Sequence, residues 1–194
     1  MFIPRHFSVS DENEKLEFIR MHSFGQLTSH VDGQIFASHL PLLLSDDGKK
    51  LLGHLARANP QWSQLEDQQV LVVFQGPHSY VSPSWYSQPG VPTWNYQAVH
   101  VYGHVQCLHD SARLRQIVEE LTRINESGFD PPWQTNYDIR QLQGIVGLEI
   151  EIEQIQCKYK LSQNRQRQER IDVANQLENL GELSLAAAMK DLDS

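Results

Sequence analysis

The chain is poor in cysteine, in positive charge and in long apolar runs, and each shortage removes a class of function. Its two cysteines, Cys107 and Cys157, lie far apart and in no Cys-x-x-Cys pair. They therefore read as reduced, half-buried strand residues, not as a disulfide or zinc framework. No apolar run approaches the roughly 20 residues that span a bilayer, and Met1–His6 lacks the basic end and apolar stretch of a secretory signal. A cytoplasmic protein with no membrane partner is expected. Sixteen Lys and Arg against 24 Asp and Glu leave a formal charge of −8, which disfavours a protein that must neutralise phosphates along a duplex. Gly-x-Gly-x-x-Gly and Gly-x-x-x-x-Gly-Lys-Ser/Thr are both missing, so dinucleotide-fold and P-loop readings fail. There is no Gly-x-Ser-x-Gly elbow either, and Ser82 and Ser84 fall in a predicted loop with no assignable base, so a Ser/His/Asp hydrolase is poorly supported.

Histidine is plentiful, with nine residues, and His100-x-x-x-His104 has the spacing of two metal ligands on a helix. The segment reads as a strand, however, where two rings four residues apart lie roughly 13 Å from each other, too far for one zinc. No metal site is expected. Charge is unevenly spread. From Lys158 to Arg170, Lys158, Lys160, Arg165, Arg167 and Arg170 stand against Glu169 alone, a local balance of 5 − 1 = +4 that leaves −8 − 4 = −12 on the rest. This stretch is either a phosphate-contacting surface or simply a solvated strand end and helix face.

The periodicities predict an α+β fold dominated by strands. Ser8–Met21 opens with capping residues, pairs Asp11 with Glu14, and places Leu16, Phe18 and Ile19 on a helical stripe. Two β-like runs flank Asp32-Gly33, a strong hairpin signal, and a second pair flanks Asp47-Gly48; two consecutive hairpins predict an antiparallel meander. Asn59-Pro60 fits an N-cap followed by proline at the first helical position. Val70–Phe74 reads as a central strand. Residues Pro77–Pro92 hold too many prolines for a regular ladder and read as an ordered loop, a candidate lid. Asp110 caps a helix in which Leu114, Ile117, Val118, Leu121 and Ile124 recur at helical spacing.

In the last predicted strand Val146, Leu148, Ile150 and Ile152 share a face, but the apolar set then shifts parity to Ile155, Cys157, Tyr159 and Leu161. A bulge near Glu153-Gln154 would produce that shift, and it turns Lys158, Lys160 and Ser162 onto the polar face. Beyond Gln163 the pattern is helical, broken at Gly181. The expected organisation is a domain over residues 1–162 and a helical extension over 163–194.

The chemistry concentrates at predicted strand ends. Gly53-His-Leu-Ala-Arg-Ala-Asn-Pro-Gln-Trp62, Phe74-Gln-Gly-Pro-His-Ser-Tyr80, Val91-Pro-Thr-Trp-Asn-Tyr-Gln-Ala-Val-His100 and Lys160-Leu-Ser-Gln-Asn-Arg165 bring Trp, His, Asn, Gln and cations together, as pocket walls do. Lys160 and Arg57 can supply charge to a phosphate. Ser162, Gln163, Asn59, Gln61 and Gln75 can supply hydroxyl or amide contacts, and Trp62, Trp85, Trp94 and Tyr96 can cover a planar ring. The competing reading is that these tryptophans complete a small core and the histidines pair across strands.

With the opening Met1-Phe-Ile-Pro4, these blocks resemble the PaiB family, FMN-binding negative regulators of transcription, over residues 1 to about 165. The resemblance implies an antiparallel split β-barrel related to pyridoxamine phosphate oxidase, homodimeric, with FMN at the subunit interface. It implies that Ser38-His39-Leu40-Pro41 and Gly53–Arg57 are paired strands beneath the flavin, and that Asn59–Trp62 approaches its phosphate. The implied cofactor contacts are His39, His54, Leu55, Ala56, Arg57, Asn59, Gln61, Trp62, Gln75, Lys160, Ser162 and Gln163. Where oxidase relatives carry Ser-Arg-Lys, this chain has Asn59-Pro60-Gln61, without a cation, and the oxidase's substrate residues are unmatched. Three classes stay open: a flavin-binding repressor, with DNA as a partner; an FMN-dependent oxidoreductase; and a haem-binding split barrel using His39, His54, His78 or His100. The tail after Gln163 reads as a dimer-packing or capping element, with Leu177, Leu180 and Leu183 on its apolar face.

Overall fold

The computed structural model describes residues 1–134 and 139–192; the last two residues of the expected tail, 193–194, lie outside them. The fold is α+β, with peripheral helices and a helical C-terminal tail. Seven strands, β1 (Phe24–Val31), β2 (Gln34–Pro41), β3 (Leu43–Leu44), β4 (Lys50–Ala56), β5 (Gln69–Val81), β6 (Thr93–Leu108) and β7 (Ile145–Lys160), form an antiparallel sheet in the order β2-β1-β5-β6-β7-β4-β3. The helices are α1 (Glu12–Met21), α2 (Ser111–Glu126), α3 (Ile139–Leu142), α4 (Arg167–Asn179) and α5 (Leu183–Asp191). Two compact units divide the chain. The larger comprises Leu16–Phe74 and His100–Ile155; the smaller comprises Met1–Lys15, Gln75–Val99 and the chain from Gln156 on.

In the larger unit the Asp32-Gly33 signal is realised. Both residues take positive φ, 51° and 76°, as a two-residue hairpin with the right strand twist requires, and Val31 pairs with Gln34. The second hairpin forms too, with Leu43 opposite Leu52, but the two hairpins do not make a meander. They sit at opposite ends of the sheet order because β4 pairs with β7: Leu51, Gly53 and Leu55 lie opposite Ile150, Leu148 and Val146. That ladder joins two inward-facing apolar sets, and Leu51, Val146, Leu148 and Ile150 are all fully buried. Gly103 in β6 admits no side chain, since a Cβ there would lie 2.2 Å from the Glu151 carbonyl oxygen. Asp110 Oδ1 accepts the Arg113 N–H at 2.8 Å and caps α2, whose Leu114, Ile117, Val118 and Leu121 are buried while Ile124 is exposed.

In the smaller unit the core comes from Cys157, Tyr159 and Leu161 of the β7 end, Val173, Ala174 and Leu177 of α4, and Leu185, Ala186 and Met189 of α5. Gly181, at φ +84°, separates the two helices. Leu177 belongs to this core, but Leu180 and Leu183 are 65% and 64% exposed, so the three leucines do not share one face.

Further expectations are corrected. The Pro77–Pro92 segment is a loop only after Val81. β5 continues through Pro77, beyond the Leu71–Val73 stretch that pairs with β1, where a missing N–H breaks no ladder bond on that side. Along β7 the buried set does change parity, from Val146, Leu148 and Ile150 to Cys157 and Tyr159, with Glu153 and Gln154 both exposed between them. Lys158, expected on the polar face, is buried: its ammonium donates to the Phe2 carbonyl at 3.1 Å and lies 5.1 Å from the Tyr96 ring centroid, so cation–π contact and a hydrogen bond take the place of water.

Candidate functional site

In the larger unit β4 carries His54, Leu55 and Ala56 into a tight turn that starts at Arg57 and ends in a 3-10 helix, Pro60–Gln64. Asn59 Oδ1 accepts the Gln61 N–H at 2.9 Å, while its amide donates to Ser38 Oγ at 2.9 Å. Both functions of that side chain therefore hold the turn against β2. Gln61 is fully buried. Its amide reaches Ser29 Oγ at 2.8 Å and the Leu27 and Phe36 carbonyls, and its Oε1 has no hydrogen-bond partner among the described residues. These two amides frame the turn.

Arg57 is held differently. Its Nε and Nη2 donate to the carbonyls of Gln143 and Ile145 at 2.8 and 3.1 Å. The guanidinium carbon lies 5.7 Å from the Trp62 ring centroid, and Trp62 Nε1 donates back to the Arg57 carbonyl at 2.8 Å. Nη1 has no hydrogen-bond partner among the described residues. The result is an exposed cation fixed beside an aromatic face, a geometry suited to an anionic, planar ligand.

His39 is exposed on β2 and stacks on Phe24, centroids 6.3 Å apart at 24°. Leu55 is buried and Ala56 exposed. His54 lines a cavity of about 490 Å³, with Pro41, Val118, Leu121, Trp133 and Ile145 among its walls, a size within the usual range for small-molecule pockets. Burial lowers the His54 pKa and keeps the imidazole neutral, and its Nδ1 has no partner among the described residues.

The other sequence-predicted residues belong to the smaller unit. Gln75 Nε2 lies 3.1 Å from His78 Nδ1, both residues being exposed on β5. The Lys160 ammonium donates to the Trp94 carbonyl at 2.6 Å and to Thr93 Oγ1; burial, and Lys158 secondarily, lower its pKa. Gln163 shapes the turn after β7: Oε1 accepts the Leu161 N–H at 2.7 Å and the amide donates to the Tyr159 carbonyl at 2.6 Å. That turn sets Ser162 at φ +65°, with its hydroxyl 3.0 Å from the Asn95 amide and 3.1 Å from the Tyr86 hydroxyl.

Lys160 and Ser162 thus line a cavity of about 180 Å³ of mixed character, together with the apolar Phe7 and Val91 and with Tyr86, Asn95 and Arg165. Of these last three the sequence marked only Arg165, as part of the basic stretch; Tyr86 and Asn95 had no assigned role. Asn95 carried a signal, being a polar residue at an inward position of a strand, between Trp94 and Tyr96. Ser38, which anchors Asn59, stood in a noted block but had no assigned role.

A family model described as "Putative FMN-binding domain" matches residues 1–154. The Bacillus subtilis "Protease synthase and sporulation protein PAI 2" is 40% identical over 186 residues, covering 92% of this chain and 90% of that protein. Among solved structures, the "FAD and Heme binding protein from Mycobacterium smegmatis" superposes with a TM-score of 0.64 at 14% identity, covering 79% of this chain and 73% of that one. The "Flavocytochrome Anf3 from Azotobacter vinelandii" does so with a TM-score of 0.60 at 16% identity, covering 81% and 72%. At these identities the structural likeness is one of fold, the antiparallel split β-barrel.

Proposed function

The chain belongs to the PaiB-type FMN-binding domain family, and on that premise we propose that it is a homodimeric FMN-binding negative regulator of transcription. The observation that supports flavin binding in this chain is the Arg57–Trp62 pair. A guanidinium anchored by two carbonyls and laid on an indole offers its remaining N–H groups to a phosphate without losing rotamer freedom on binding. His39, His54, Leu55 and Ala56 of the adjoining strands are its proposed neighbours in the site, with the Asn59 and Gln61 amides as its frame. Bound FMN supplies a ring that accepts and returns electrons, which suits a repressor that responds to redox state or to flavin supply.

Titration of FMN into the purified protein, followed by absorbance and flavin fluorescence, tests this. Arg57→Ala is expected to weaken FMN about tenfold or more, the loss of one charge-assisted hydrogen bond worth about 1.5–3 kcal/mol. Unchanged affinity would remove Arg57 from the site. The dimer is supported by exposed apolar surface in the smaller unit, Trp94 at 55% and Leu180 and Leu183, and light scattering at micromolar concentration measures it. The regulator role rests on the sequence resemblance. A reporter assay with the gene deleted and restored tests it, and robust NAD(P)H-dependent FMN reduction without any effect on transcription would favour an oxidoreductase instead.

One observation favours haem as a second ligand class. The neutral His54 imidazole in a largely apolar cavity is the protonation state that ligates iron. A Soret band on haem addition that is lost in His54→Ala would establish it.

A further inference from the structure

The smaller unit contains a second cation cluster. Lys160 and Arg165 converge on the 180 Å³ cavity, no carboxylate is among its lining residues, and neither cation has a carboxylate partner among the described residues. In a chain of net charge −8, two such cations in one cavity make a locally positive site. Both are held in place. Lys160 is anchored through Thr93 and the Trp94 carbonyl. Arg165 donates to the Pro89 carbonyl at 3.2 Å and lies 4.4 Å from the Tyr86 ring centroid.

The neutral donors are equally fixed. Asn95 is fully buried and Ser162 nearly so, and the Ser162 hydroxyl is set between the Asn95 amide and the Tyr86 hydroxyl. Ser162 takes a left-handed conformation that a non-glycine residue adopts at a cost, and such strain concentrates at ligand-binding positions. The cavity is smaller than the about 300–1,000 Å³ of pockets that enclose whole small molecules. It therefore has room for a charged group, not for a ring system.

We propose that this cavity binds a phosphoryl oxyanion, with Lys160 and Arg165 supplying charge and Ser162 and Tyr86 supplying hydroxyls. Tetrahedral oxygens suit donors that approach from several directions, and the two cations offset a dianion. One wall is the segment Tyr86–Val91, tied to α4 by Glu169, whose carboxylate accepts the Gln88 N–H at 3.0 Å and the Ser87 hydroxyl at 3.4 Å. The phosphoryl group comes either from FMN or from free phosphate; the first source rests on FMN binding as proposed above and assigns its phosphate to this cavity in place of Arg57, the second does not.

Calorimetric titration of the full chain with inorganic phosphate, FMN and riboflavin, which lacks the phosphate, separates the two. Wild type, Lys160→Met, Arg165→Met and the conservative Lys160→Arg are compared, with circular dichroism to confirm folding. Wild type is expected to bind phosphate, and each Met variant to lose about tenfold or more of that affinity, with Lys160→Arg retaining most of it. If FMN is the source, FMN affinity falls by the same factor, phosphate competes with FMN, and riboflavin affinity is unchanged by the variants. If free phosphate is the source, FMN affinity stays at the wild-type value. Should Lys160→Met not fold, Arg165→Met carries the comparison. Phosphate binding without any FMN binding would overturn the flavin reading and leave the oxyanion site standing. Wild type that does not bind phosphate and does not prefer FMN over riboflavin, or Met variants that bind both ligands as wild type does, would overturn the site.

Discussion

Glu169, the buried acid in the first turn of α4, accepts the backbone N–H of Gln88 at 3.0 Å. A carboxylate on α4 thereby fixes the loop that walls the Lys160 cavity. Arg165 adds a second tie through the Pro89 carbonyl, and Gly90 fits closely beneath it, where a Cβ would lie 2.9 Å from the Tyr86 ring.

Glu169→Ala is therefore expected to free residues 86–91 and to destabilise the protein by about 1.5–3 kcal/mol, the range for a lost hydrogen bond to a charged group. Urea denaturation measures the stability, and limited proteolysis should cut within that segment in the variant before it does in wild type. Glu169→Gln keeps an acceptor and should lie between the two.

Gly103→Ala is expected to cost about 1–3 kcal/mol or more, because its Cβ meets the backbone oxygen of Glu151, which cannot turn away as a side chain could. Gly128→Ala, with nothing within 4 Å, serves as the control. Denaturant midpoints of the two variants should separate clearly.

Acid should destabilise the fold from just below pH 6.5. Burial lowers the pKa of His54, His100 and His22 from the ordinary 6.5. Below that value the unfolded chain takes up protons that the native chain refuses, so stability rises with pH through this window and falls as pH drops. Melting temperature measured between pH 7 and 5 should show the decline, and His54→Gln should flatten its slope.

Neither thiol should react with a thiol-specific reagent in the native protein at neutral pH. Burial, and secondarily Glu14, push Cys157 up to about 12; burial, and secondarily Glu66, push Cys107 up to about 11. The thiolate that reacts is scarce in both. Because the folded pKa values lie above the ordinary 9.0, the stability they confer is complete below pH 9 and is lost as pH rises towards the folded values. Reagent kinetics with and without denaturant check the first point, and alkaline melting curves the second.

Direct DNA binding by the isolated protein should be weak. Within the basic stretch Lys158 is buried against Phe2 and Tyr96, Lys160 donates to Thr93 and Trp94, and Arg165 lies on Tyr86. A phosphate-contacting face would show a steep fall of affinity with salt, near −0.9 in log–log slope per contact. A shallow slope at low affinity is expected in gel-shift titrations, and a steep one would return these cations to the DNA.

Much of the local structure was legible in short stretches of sequence. Asp32-Gly33, Asn59-Pro60 and Asp110 act within a few residues through positive φ, proline's missing N–H and side-chain capping, and no distant neighbour overrides them. The resemblance blocks likewise led to the split-barrel fold and to the candidate cation Arg57. What the sequence could not contain was the pairing of residues far apart along the chain. The alternation along β4 marks an inward face, but only the ladder to β7, about 100 residues on, takes that hairpin out of a meander. Lys158 reads as a solvent-facing cation by parity and is buried because Phe2 and Tyr96, from distant segments, close over it. Asn95, Tyr86 and Arg165 become one cavity with Lys160 only when the β7 end, the start of β6, the loop before it and the turn before α4 meet. Local conformation follows from steric and hydrogen-bonding preferences each residue carries with it. Burial, charge pairing and cavity formation follow from which surfaces the tertiary fold brings into contact.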